Sequence, residues 1–220
     1  MIVIEGLQSA KSKLARRVPT SSYPVSPALA RRLKDIFGTE IEPEQAVEKI
    51  ADEVRSRGDA ALIDYALRID GIKLVSLEIN KEEIANAYRK VPEELVSALK
   101  LAAEQITSFH IAQKSEIRYG VTGQNRGQLI RPLERVGVYV PGGTAYYPST
   151  VLMTAIPARV AGVSEIILTT PPGANGTVPS PTLIAADIAG INRIFCAGGA
   201  QAIAALAFGT ESIPKVDKIC

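Results

Sequence analysis

The sequence predicts an α/β fold in which a parallel sheet flanked by helices follows an N-terminal helical region. Three observations carry this expectation. From Arg135 onward, short apolar runs alternate with helical patterns. The runs start about 28 to 30 residues apart, which is the length of a crossover unit joining parallel strands. Before Arg135 the periodicity is mostly helical.

Residues 1–25 are read as an N-terminal arm. The stretch VPTSSYPVSPA, residues 18–28, is rich in Pro and Ser and breaks any helix begun in the first seventeen residues. Residues 26–134 form a helix-rich region with short strands. Pro27 suits a first helical turn, Leu29, Leu33 and Ile36 follow at three- and four-residue spacing, and Gly38 ends the element. Pro43 opens a core-facing helix through Val47, Ile50 and Val54. Gly58 breaks it before Leu62, Tyr65, Ala66 and Ile69. Leu74, Val75, Leu77 and Ile79 fit a short strand. Helices follow over Glu82 to Tyr88 and over Pro92 to about Ile117, the second with Leu95, Val96, Leu99, Ala102, Ala103, Ile106 and Phe109 on one stripe. Tyr119 to Leu133, punctuated by Gly120, Gly123 and Gly127, reads as a hairpin or short strands.

Residues 135–220 carry the repeat. Val136 to Val140 is a strand, turned by Pro141, Gly142 and Gly143 into a helix over Ser149 to Ala161. Ile166 to Thr169 follows, then PPGANG and a helix over Pro181 to Ala189. Ile194 to Cys196 is the third strand, turned by Ala197, Gly198 and Gly199 into a helix through Ile203 and Leu206. Ligands of such sheets bind at the carboxyl ends of the strands. There Gly142, Gly143, Gly198 and Gly199 let backbone N–H groups approach an anion, and the following helices point their positive ends at it. A pyrophosphate suits that field. Any tight strand-to-helix turn also uses glycine, and neither GxGxxG nor GxxxxGK[ST] is present, so periodicity alone stops at a nucleotide-binding half of open chemistry.

Composition narrows the classes. Lys and Arg total 25 against 23 Asp and Glu, and the net charge of +2 leaves no basic footprint for nucleic acid. No stretch approaches a signal-peptide core or a membrane span, so the expectation is a cytoplasmic protein. Cys196 and Cys220 are the only cysteines and read as reduced thiols; His110 is the only histidine and reads as a residue on a helix rim. No ligand cluster at metal-site spacing is evident.

The wording of the motifs says more. RVGVYVPGG, PSTVLM and AGGAQAIAALAFGTESIPKVDKI closely resemble the central part of histidinol dehydrogenases, and GDAALIDYALRIDG resembles their N-terminal helical part more loosely. The resemblance implies a Rossmann-like, aldehyde-dehydrogenase-like sheet. It also implies NAD- and zinc-dependent oxidation of L-histidinol through the aldehyde to L-histidine, the last steps of histidine biosynthesis, in a homodimer. Within the matching motifs it implies two cofactor contacts, Tyr139 in VGVYVPGG and Gln201 in GGAQAIAA. The family's third contact, the asparagine of a GPGN motif, and its zinc ligands, acid–base pair and substrate-binding residues are expected beyond Cys220. The chain is accordingly read as an N-terminal half, inactive alone, with no catalytic or metal residue among its 220. Two alternatives stay open: a related dehydrogenase acting on another small alcohol such as a sulfonated diol, and a non-catalytic nucleotide-binding module. TTPPGANGTVPSP is longer than the resemblance leads one to expect, and extra turn length costs little.

Overall fold

A computed structural model describes residues 6–14, 25–116, 129–142, 145–173 and 175–220. The chain divides into two compact units, residues 1–43 and 44–220. In the first, α1 spans Leu7–Leu14 and α2 spans Pro27–Phe37. Ser26 caps α2 by accepting the Leu29 N–H at 3.2 Å, which satisfies one of the orphan donors at a helix start. The Leu29, Leu33 and Ile36 stripe leaves no residue of α2 fully buried.

The second unit begins with α3 (Pro43–Arg57), which buries Ala46, Ile50 and Val54. Gly58 then turns the chain into α4 (Asp59–Tyr65), prolonged by a π-helical turn over Ala66–Asp70. α5 (Lys81–Tyr88) starts with a capping box: Asn80 Oδ1 accepts the Glu83 N–H, and Glu83 accepts the Asn80 N–H, both at 2.9 Å. α6 (Glu93–Ser115) buries only Leu99 and Ala103 of its expected stripe, and Phe109 is 65% exposed.

The sheet follows as β1 (Arg135–Tyr139), α7 (Pro148–Ala161), β2 (Glu165–Thr170), α8 (Ser180–Ala189), β3 (Arg193–Cys196), α9 (Gly199–Phe208) and β4 (Lys218–Ile219). The strand order is β3-β2-β1-β4 and every pairing is parallel. Ile166, Ile167 and Leu168 of β2 are fully buried, as a strand covered on both faces requires. Gly137 of β1 faces α9: a Cβ there would lie 2.9 Å from Leu206 Cδ1, so glycine sets how closely helix and strand approach.

Two elements differ from the sequence expectation. Leu74 to Ile79 is not a strand. Within it Glu78 forms an isolated antiparallel bridge to Phe195, flanked by Ile79 N–H to Ile194 O at 2.9 Å and Cys196 N–H to Leu77 O at 2.7 Å. The segment buries Leu74 and Leu77, three residues apart, and leaves Val75 95% exposed, so it lacks the two-residue alternation of a strand. It covers the free edge of β3, and Glu78 fixes it there with a forked ion pair to Arg193, Nε to Oε1 and Nη2 to Oε2, both 2.7 Å. β4, which no pattern announced, has two residues and exists through pairing with β1. The Tyr139 N–H donates to Cys220 O at 2.8 Å, and the Cys220 N–H to Gly137 O at 2.9 Å. The expected hairpin over Tyr119 to Leu133 falls largely on residues 117–128, outside the described residues.

A long-range clamp joins α4 to the turn before β4. The Asp59 N–H donates to Glu211 Oε2 at 2.7 Å, while Asp59 Oδ1 accepts Thr210 Oγ1 at 2.6 Å and Ser212 Oγ at 3.0 Å. The bond from the Asp59 N–H holds the Glu211 carboxyl below its ordinary range.

Candidate functional site

The carboxyl ends of β1, β2 and β3 gather three turns. Tyr139 closes β1 half-buried, and its phenol oxygen accepts the Gly199 N–H at 3.1 Å. This ties the end of β1 to the first residue of α9, a helix that no side chain caps. Gly199 has φ +65°, a left-handed conformation that favours glycine, and a Cβ there would lie 2.7 Å from Gln201 Oε1. The Gln201 amide therefore folds back over the Gly199 backbone.

Gln201 is the third residue of α9 and only 3% exposed. Its Oε1 is sealed from solvent and has no hydrogen-bond partner among the described residues. Thr169 of β2, fully buried, has an Oγ1 in the same condition. An unpaired buried polar group costs about 1–3 kcal/mol, so two of them at one end of a sheet make that end the candidate site. The structure thus brings both sequence-predicted residues, Tyr139 and Gln201, around Gly199. Sequence reasoning missed Thr169. Its signal was the first of two adjacent hydroxyls that follow the aliphatic run of EIILTT, but only the sheet register gives that hydroxyl neighbours.

Two of the four turn glycines have a packing reason. A Cβ at Gly142 would lie 2.5 Å from Pro171 Cγ, and one at Gly198 would overlap Pro171 Cβ. Pro171, just after β2, is wedged between the other two turns, which close on it because neither glycine carries a side chain. Gly143 lies outside the described residues. Pro141, Gly142, Tyr146, Thr170 and Pro171 line a shallow crevice there, with Tyr146 60% exposed. Tyr147 is also exposed. The long turn after β2 is held by Gly173 N–H to Thr177 O at 2.9 Å and by Asn175 Oδ1, which accepts the Thr177 hydroxyl at 2.9 Å.

The remaining reactive side chains are quiet. Cys196 is buried, and burial pushes its thiol up to about 12, with Asp70 and Glu83 adding to the shift, so it stays protonated at neutral pH. Cys220 is free and exposed. His110 pairs Nδ1 with Gln113 Oε1 at 2.9 Å on α6 and meets Phe109 edge to face. Away from the strand ends, Tyr88 donates to Asp187 Oδ2 at 2.7 Å, and burial together with that bond pushes the phenol up to about 12. Among the described residues no group of three or more His, Cys, Asp and Glu side chains could hold a metal ion, and no helix is long and apolar enough to cross a membrane.

Comparison with known proteins places this geometry. The family model for histidinol dehydrogenase matches residues 38–220. The chain is 54% identical over 223 residues to a histidinol dehydrogenase of Dehalococcoides mccartyi strain CBDB1, covering 100% of this chain and 50% of that protein. Against the histidinol dehydrogenase of Deinococcus radiodurans identity is 47%, over 97% of this chain and 49% of the relative. The crystal structure of histidinol dehydrogenase from Elizabethkingia anophelis matches with a TM-score of 0.76 at 35% identity, covering 88% of this chain and 46% of that one. The chain spans about half the length of the curated relatives it matches. Sequence and fold agree over this span: the chain belongs to the histidinol dehydrogenase family.

Proposed function

We propose that this chain supplies the NAD-binding part of a cytoplasmic, homodimeric L-histidinol dehydrogenase, which oxidises L-histidinol through the aldehyde to L-histidine. The observation that carries this reading is Gln201 Oε1, buried with no partner among the described residues, near the Gly199 backbone that the Tyr139 phenol holds at the start of α9. NAD, when bound, accepts the hydrides that leave the substrate. The chain's own residues bind and orient it. Tyr139 offers an aromatic face at the strand end, and its oxygen fixes the first N–H of α9. Gln201 offers an amide that completes its hydrogen bonds only when a ligand arrives. The glycine turns packed on Pro171 keep the three strand ends close enough to share one ligand.

Zinc does not fit the described residues, which hold no suitable group of His, Cys, Asp and Glu side chains. In this reading substrate orientation and proton transfer belong to the half of the relatives' length that this chain does not span. Exposed Phe109 and Met153, at 65% and 64%, are apolar surface of the kind that association covers.

The test is calorimetric titration of the 220-residue chain with NAD, beside a histidinol-dependent NAD reduction assay with added zinc. Wild type binds NAD without turnover, and Gln201→Leu weakens binding about tenfold while the melting temperature holds or rises, because it removes an unpaired buried amide. Absence of NAD binding by wild type overturns the site assignment. Robust turnover by the chain overturns the division of labour.

A further inference from the structure

Thr169 is the second buried orphan at these strand ends, and its place in the sheet says what it faces. Gly137 looks toward α9, where a Cβ would meet Leu206, so Tyr139, two residues on, shares that face. Thr169 is the parallel register partner of Tyr139, and such partners project to the same side. Its hydroxyl therefore lies beside the Tyr139 ring beneath the start of α9. Gln201, one turn into α9, sends its side chain back toward the helix N-terminus, where its amide meets Gly199.

Two polar groups thus face the same helix start, both sealed from water and neither bonded among the described residues. They are chemically complementary, since a threonine hydroxyl has one proton to give and a glutamine Oε1 only accepts. A valine at 169 has nearly the same shape, suits a strand at least as well, and carries no hydroxyl to leave unpaired.

Resting on the NAD reading above, we infer that Thr169 is a positioning residue of the nucleotide site, whose hydroxyl donates to Gln201 Oε1 when nucleotide binds. That bond fixes the amide with Nε2 turned outward, so that it presents N–H donors to an acceptor oxygen of the dinucleotide. Without it the amide has two orientations 180° apart, and one of them offers the ligand an acceptor where a donor is needed. In the free chain neither atom is bonded among the described residues, and nucleotide binding brings the hydroxyl and Oε1 together.

The test compares NAD affinity and melting temperature for Thr169→Val and Thr169→Ser, alone and combined with Gln201→Leu, in the full 220-residue chain. Thr169→Val melts no lower than wild type yet binds NAD about fivefold more weakly, the loss of one hydrogen bond. Thr169→Ser restores affinity to within about twofold, and in the Gln201→Leu background Thr169→Val has no further effect. Wild-type affinity in Thr169→Val overturns the inference. So does a serine variant as weak as the valine one, or a valine effect that persists without Gln201. If Thr169→Val does not fold, Thr169→Ala, which also lacks the hydroxyl, takes its place against Thr169→Ser by the same criteria. Failure of wild type to bind NAD removes the underlying reading as well, and so is distinguishable from failure of the inference alone.

Discussion

The two ends of the parallel sheet treat polar groups in opposite ways. At the amino ends and along the β3 edge they are paired: Arg135 with Glu165, Arg193 with Glu78, and Asn192 Oδ1 with the Ile166 N–H at 2.8 Å. Asp217 Oδ2 accepts the N–H groups of both Glu134 and Arg135, at 3.1 and 2.9 Å. The clamp between Asp59 and residues 210–212 is as fully engaged. At the carboxyl ends, Thr169 Oγ1 and Gln201 Oε1 are buried and have no partner among the described residues. Burial makes pairing more valuable, so the unpaired end is the one proposed to take a ligand, and the paired end is scaffold. Substitutions at the scaffold should act on stability, whereas those at Gln201 and Thr169 should act on binding with stability intact.

The largest scaffold effect is expected at Gly58. It combines φ +54° with an approach in which any Cβ would overlap the Glu211 carboxylate, so Gly58→Val should lower unfolding stability by about 3 kcal/mol in denaturant titration. A change under about 0.5 kcal/mol would show that the clamp yields freely. Asp59→Ala comes next, at about 2 kcal/mol, because it strands the hydroxyls of Thr210 and Ser212. Its effect should overlap that of Gly58→Val in the double variant, as neighbours on one clamp do, rather than add.

Glu78→Gln is expected to cost least, about 1 kcal/mol after allowing for solvent screening, since the two side chains are 41% and 32% exposed. The sign with pH follows from the Glu78 carboxyl being held low, chiefly by the Arg193 hydrogen bonds. A carboxyl whose folded pKa lies below its unfolded value contributes stability above the unfolded value, near 4.3, and loses it as pH falls through the folded one. Stability measured from about pH 5 down to pH 3 should therefore fall less steeply in Glu78→Gln than in wild type. Parallel curves would mean that the fork is not coupled to folding.

Much of this fold was legible in the residues. The apolar runs at Val136, Ile166 and Ile194 are all strands, and the turns between them carry glycine where packing on Pro171 leaves no room for a side chain. Tyr139 and Gln201 were singled out by motif wording, not periodicity. β4 was not, since two residues hold no alternation and the strand exists only because β1 offers it an edge. The segment from Leu74 to Ile79 misled because β-branched and aliphatic composition was read as a strand where the chain only lies along one.

By itself the amino-acid sequence determined the order and kind of the elements from Arg135 onward, because strand and helix periods are local properties of the chain. It also offered Tyr139 and Gln201 as cofactor contacts by likeness. Only the tertiary structure decided that Thr169 shares the face of Tyr139, that α9 begins on the Tyr139 phenol, and that Gln201 Oε1 is buried with no partner among the described residues. The reason is physical: whether a polar atom is satisfied depends on neighbours 30 to 60 residues away, which meet only when the sheet closes.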